Sequence, residues 1–156
     1  MKFREILKAR LQKFGLKIND QKTKLCRFGK FAKENSKRHS ENRATFNFLG
    51  FTFYNGTSRA GKYKVGCRTE SKRLNMTMNR VTQWCKENRH QAVEWQARYL
   101  NAVLRGHYNY YGISSNYPSI CAFYRHIQKT WHRYLSRRSQ RGYIKWEKFW
   151  KMLERY

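Results

Sequence analysis

Apolar residues recur along this chain in two rhythms, and the change between them marks its organisation. Phe3, Ile6, Leu7, Leu11 and Phe14 follow helical spacing and Gly15 stands where a helix would stop, which predicts an amphipathic helix over 2–14. Leu16-Lys17-Ile18 alternates, Asn19-Asp20 is a turn signal, and residues 22–28 alternate again, predicting a small β-hairpin. Residues 29–44 carry many cations (Lys30, Lys33, Lys37, Arg38, Arg43) and no apolar period, and read as a loop or a frayed, solvated helix. In 45–54, Phe46 and Phe48 share one strand face and Phe51 and Phe53 share a face, with the phase shifting at Leu49-Gly50. An extra residue at a glycine signals a bulge or tight bend. Asn55-Gly56 and Ala60-Gly61 bound a loop, and 62–67 reads as a returning strand.

Beyond residue 70 the rhythm is helical. Ser71 reads as an N-cap, with Leu74, Met78, Val81 and Cys85 on one face. Ala97, Leu100, Leu104 and Tyr111 mark a second helix over 94–111. Pro118 opens a third with a buried stripe of Ile120, Phe123, Tyr124, Ile127, Trp131, Tyr134 and Leu135. Trp146, Phe149, Trp150 and Leu153 mark a short fourth. The fold class is therefore α+β, with a small, incomplete, hairpin-containing piece over 1–68 and an all-helical bundle over 69–156. One helix and two short β-elements are too little to close a sheet with covered faces, so the first piece reads as the end of a domain whose beginning is missing.

Composition changes the picture in one direction. Lys and Arg number 35 against 9 Asp plus Glu, a formal charge of +26, and such a chain calls for a polyanionic partner. With 40% hydrophobic and 17% aromatic residues it is too apolar for a disordered basic tail. No run is long and apolar enough for a membrane span, and the N-terminus lacks a signal-peptide core. Cys26, Cys67, Cys85 and Cys121 lack metal-ligand or disulfide-framework spacing and suit reduced thiols in a cytosol-like compartment. Asp20 is the sole aspartate. Two-metal phosphoryl transfer needs several converging carboxylates, so a complete polymerase or nuclease site is not expected.

The segments 15–25 (GLKINDQKTKL), 48–51 (FLGF) and 104–112 (LRGHYNYYG), with 135–140 (LSRRSQ) and Trp146-Glu147, resemble the C-terminal part of bacterial group II intron reverse transcriptase/maturases. The first looks like the family's late palm motif, the second like its primer grip, the remainder like the maturase-specific thumb (X) domain. The likeness covers nearly the whole chain. It implies an incomplete palm followed by a helical thumb, in a bacterial cytoplasmic mobile-element protein that binds structured intron RNA for splicing and an RNA–DNA template–primer. The family's Tyr-Ala-Asp-Asp motif is absent, in agreement with the single aspartate. No polymerase activity is therefore expected of this chain alone, no cofactor, and Mg2+ only in a complete polymerase. Three alternatives stay open: one subunit of a split RNA-directed DNA polymerase completed by a palm-bearing polypeptide, a degenerate remnant, or a generic basic scaffold of the ribosomal-protein type that binds RNA with no intron preference.

Each candidate residue has a plainer reading. Lys22 matches a family lysine that approaches the incoming nucleotide's phosphates, a role void without the aspartates, and it also reads as a solvated hairpin lysine. Phe48, Leu49, Gly50 and Phe51 form the grip-like element. The phenylalanines read as core, and Gly50 as a place where another backbone comes close. Arg125, Lys129, Arg133, Arg137, Arg138, Arg141 and Lys145 cluster outside the apolar stripe with almost no alternating acid, which suits RNA phosphates. Arg105 and Asn109 are the polar contacts within a Tyr-rich segment, where His107 and the tyrosines read equally as core and Gly106 as a site of close helix packing. The histidines have no Cys or carboxylate at ligand spacing, so no metal site is expected.

Overall fold

The computed structural model describes residues 2–21, 23, 26, 28–31 and 44–156. Their elements run α1 (Lys2–Gln12), β1 (Thr45–Phe48), β2 (Phe51–Thr57), β3 (Tyr63–Thr69), α2 (Ser71–Glu87), α3 (Val93–Tyr111), a 3-10 turn (Ser114–Asn116), α4 (Tyr117–Leu135) and α5 (Trp146–Arg155). This is an α+β fold, a three-stranded antiparallel sheet in the order β1-β2-β3 followed by a helical bundle.

The helix α1 forms as its spacing predicts, yet its apolar residues Phe3 and Ile6 are exposed. It is tethered by charge instead. Arg4 Nη2 donates to Asp20 at 2.6 Å and Lys8 Nζ at 3.5 Å, and these cations hold the Asp20 carboxyl below its ordinary range. The hairpin expected over 16–28 is not seen in its first arm. Residues 16–19 carry no strand, although Asn19 does open the expected turn, its side chain accepting the Gln21 N–H at 3.1 Å and its carbonyl the Thr23 N–H at 3.0 Å. Much of the second arm (Lys22, Lys24, Leu25, Arg27) and most of the basic segment, 32–43, lie outside the described residues.

The phase shift at Leu49-Gly50 is a strand reversal and not a bulge. Phe48 pairs with Phe51 and Phe46 with Phe53, and the two residues between the strands have φ of +47° and +77°. Positive φ at both central positions is the type I′ hairpin turn, whose twist matches the strands it joins. The four phenylalanines thus share one face. They are not a closed core, since Phe46 and Phe48 are exposed and Phe51 and Phe53 half-buried. Ring contacts, stacked and edge-on, hold three of them instead, in a ladder from Phe28 through Phe46, Phe53 and Phe51 to Tyr110 and Tyr111 on α3. Asn55-Gly56 does not open a loop. It lies within β2 opposite Val65 and Lys64, with Asn55 accepting the Tyr63 hydroxyl across the strands at 2.9 Å. The reversal falls later, where the Ser58 N–H donates to the Lys62 carbonyl at 2.8 Å.

The bundle buries its stripe where the spacing places it. Cys85, Leu100, Phe123, Trp131, Leu135 and Phe149 form the centre of one core. Burial pushes the Cys85 thiol up to about 12, and all four cysteines are free. Tyr124 departs from the expected stripe. It stands at the margin, 42% exposed, over a cleft of about 90 Å³ shared with Asn101 and Tyr156. Ser71 is the first residue of α2 rather than its cap. Glu70 holds that position, fixed by its N–H to the Gly50 carbonyl (2.9 Å) and by Asn47 and Arg73 on its carboxylate (3.1 and 3.2 Å).

Two buried amides join the parts. Gln96 accepts the Trp131 indole N–H at 2.7 Å and donates to the carbonyls of Asn88 (2.7 Å) and Gln91 (3.0 Å), pinning the α2–α3 connection to α4. Asn116, fully buried, accepts the Thr69 N–H at 2.7 Å and donates to Thr69 Oγ1 (2.8 Å) and the Tyr111 carbonyl (2.9 Å). That residue ties the last strand to the end of α3 and the start of α4. No helix is long and apolar enough to cross a membrane.

Candidate nucleic-acid interface

From Glu94 to Glu147 the chain contains no intervening carboxylate and nine Lys or Arg. Helical geometry sorts these cations by face. On α4 the buried positions Phe123, Ile127, Trp131 and Leu135 face the core, which leaves Arg125, Lys129 and Arg133, four residues apart, as an exposed stripe on the other side. Arg137, Arg141 and Lys145 continue it, all exposed, through the segment that leads to α5. Without acids on α4 these cations have no partner one turn away, so their charges add.

Arg138 behaves differently from its neighbours. It is half-buried, its Nη2 donates to the Gln91 carbonyl at 2.6 Å, and its Nε is buried without a partner among the described residues. Burial lowers its pKa. It braces the α2–α3 connection and is less exposed than the other cations of the expected cluster. Arg105 and Asn109 are exposed on α3, on the side away from Leu100, Leu104 and His107. His107 is core: its ring lies 4.1 Å from Phe123 and 4.7 Å from Tyr111, and burial lowers its pKa from the ordinary 6.5. Gly106 does not serve close packing, since a side chain there would meet nothing within 4 Å.

The grip-like turn sits against the helices. The Leu49 carbonyl accepts the Tyr110 hydroxyl at 2.8 Å, and Leu49 itself is exposed. A Cβ at Gly50 would come within 2.8 Å of the Tyr111 hydroxyl and 3.1 Å of Arg73 Cδ. Close approach at this glycine is thus made by the chain's own α2 and α3. Lys22 lies outside the described residues.

Beside the turn runs a groove that the sequence reading passed over. Glu70, Lys72, Arg73, Met76, Thr77, Arg80 and Tyr111 line an open cavity of about 440 Å³, in which Glu70 is the one acid and is bonded to Arg73. Arg73 and Arg80, seven apart, share a face of α2, and that spacing was the legible signal. His126 and His132 are accounted for by packing. His132 Nε2 donates to the Ile144 carbonyl at 2.7 Å while its ring stacks on Trp146 at 3.8 Å, and His126 lies among Thr82, Thr130 and the Met78 carbonyl. Among the described residues no three His, Cys, Asp or Glu side chains converge as a metal site.

No family model, curated protein or solved structure matches this chain.

Proposed function

We propose that this chain is an RNA-binding module, and more narrowly the end of the palm plus the thumb domain of a group II intron reverse transcriptase/maturase. The observation that carries the broader reading is the acid-free stripe of Arg125, Lys129 and Arg133, continued by Arg137, Arg141 and Lys145. Fixed on a rigid helix, such cations displace condensed counterions from an RNA backbone, and each phosphate neutralised contributes about −0.7 to −0.9 to the log–log salt slope. The basic groove along α2 extends that field beside the Leu49-Gly50 turn. The narrower reading rests on the resemblance of 15–25, 48–51 and 104–112 to that family's motifs. It puts the protein in a bacterial cytoplasm, gripping intron RNA for splicing and holding template–primer. Polymerisation needs aspartates and Mg2+ that a complete palm would supply.

The test is binding of the purified chain to its neighbouring group II intron RNA and to an unrelated structured RNA across a salt series. Tighter intron binding that persists as salt rises supports the maturase reading. Equal affinities that collapse together refute intron recognition and leave a general cationic RNA binder.

A second reading has its own observation. Phe3 and Ile6 on α1 and Phe48 and Leu49 at the hairpin tip are exposed by 59–73%, apolar surface that a palm-bearing polypeptide would cover in a split polymerase. Co-purification with such a polypeptide, and primer extension by the pair but not by this chain, would favour it.

A further inference from the structure

We infer that Trp84, Trp95 and Tyr99 form a stacking platform for an unpaired nucleobase of single-stranded RNA, at the far end of the groove along α2. The inference rests on the RNA-binding reading and names which form of RNA this surface takes. The Trp84 ring on α2 lies 4.0 Å from that of Tyr99 at an interplanar angle of 10°, and 5.4 Å from that of Trp95 at 24°. Trp95 and Tyr99 are one turn apart on α3 and remain 48% and 41% exposed. The core-facing residues of that stretch are Gln96, Ala97 and Leu100, so the aromatic pair lies outside the buried stripe. Of these near-parallel rings Trp84 is half-buried against the core, while Trp95 and Tyr99 expose aromatic surface that is costly to leave in water and that a base can extend.

Charge selects the occupant. Trp84 follows Arg80 by four residues and Arg73 by eleven on the same face of α2, about 16 Å along the helix axis, so the groove's basic wall leads to the platform. In sequence, Arg98 lies between Trp95 and Tyr99, and Arg89 follows Trp84 by five residues. The nearby carboxylates are engaged: Glu94 pairs with Arg98 at 2.6 Å and Glu87 accepts from Gln83 at 2.6 Å. A strand with phosphates against Arg73 and Arg80 and a base on the rings satisfies both the charge and the apolar surface. Trp146 and Trp150 also stack, at 5.7 Å, and are exposed, but Glu147 and Glu154 stand one turn to either side of Trp150 on α5. Lys148 and Lys151 stand beside these acids, so the local charge is close to balanced, and the pair serves as the control.

The test measures anisotropy of a labelled single-stranded oligoribonucleotide and of a labelled RNA duplex of the same length. Trp95→Ala/Tyr99→Ala is compared with Trp95→Phe/Tyr99→Phe, Trp150→Ala and the unchanged chain, with thermal melts confirming that each variant folds. The alanine pair is expected to weaken single-strand binding by about tenfold or more, while duplex binding changes by less than about twofold. The phenylalanine pair restores most of the loss, and Trp150→Ala changes neither. Equal loss on both RNAs, or no restoration by phenylalanine, overturns the platform. No loss on the single strand also overturns it. If the unchanged chain binds neither RNA, the RNA-binding reading falls with it. If duplex binding persists and responds only to the α4 cations, the platform falls alone.

Discussion

The sheet and the bundle are both rich in aromatic rings, and they use them in opposite ways. In the bundle Phe123 and Phe149 are wholly buried, while in the sheet Phe46 is 40% and Phe48 59% exposed. The bundle closes around Phe123 and Phe149 because four helices can surround them, and it leaves Trp95, Tyr99 and Trp150 at its surface. The sheet's first two strands line up Phe46, Phe51 and Phe53 in a ladder and lean it on Tyr110 and Tyr111. The difference teaches where stability and recognition reside. The cations of α4 stand on the well-packed half, which holds them in fixed relation, while the sheet and α1 carry apolar surface.

Substitutions sharpen or break this contrast. The largest effect is expected for Phe123→Ala, about 3–5 kcal/mol of destabilisation in a denaturant melt. Phe48→Ala should shift the same melt by less than about 0.5 kcal/mol, and equal effects would erase the distinction between the halves. Asn116→Ala strands the buried Thr69 N–H and cuts the joint between sheet and helices, and should cost about 2–3 kcal/mol. Loss of sheet signal before helix signal in the variant would locate that cost at the joint. Gly50→Ala forces a β-carbon into a left-handed turn against Tyr111 and Arg73, and should cost about 1–2 kcal/mol.

A smaller effect follows pH. Burial holds the His107 pKa below its ordinary 6.5, so the folded protein keeps the ring neutral after the unfolded chain has begun to protonate. Its contribution is therefore fully present above about pH 6.5 and is lost as pH falls toward the folded value. His107→Phe should flatten the acid limb of a stability-against-pH curve while leaving stability at pH 8 changed only by packing. An unaltered acid limb would mean that the ring takes up its proton over the same pH range in the folded and the unfolded chain.

The helical half was legible because apolar spacing over 17–19 residues in α2, α3 and α4 leaves little choice of face. The sheet was less so. A hairpin turn at Leu49-Gly50 and a bulged strand give the same list of phenylalanines, and only the pairing partner separates them. Asn55-Gly56 has turn composition, yet a cross-strand bond from Tyr63 keeps it extended. In the candidate site, exposure of Arg125, Lys129 and Arg133 could be read from the stripe opposite them. The bracing role of Arg138 could not, because its partner, the Gln91 carbonyl, is 47 residues away. The α2 groove and the Trp84–Tyr99 stack also need the antiparallel approach of two helices, which no single helical pattern contains.

The central claim is that the α4 stripe neutralises RNA phosphates, and the most direct measurement is the salt slope of RNA affinity for the unchanged chain and for Arg125→Gln/Lys129→Gln/Arg133→Gln. All three side chains are exposed, so folding should be unaffected in a thermal melt. The account predicts a slope shallower by about 2 to 3 units, from three phosphates at about 0.7 to 0.9 each. An unchanged slope in the folded variant would contradict it.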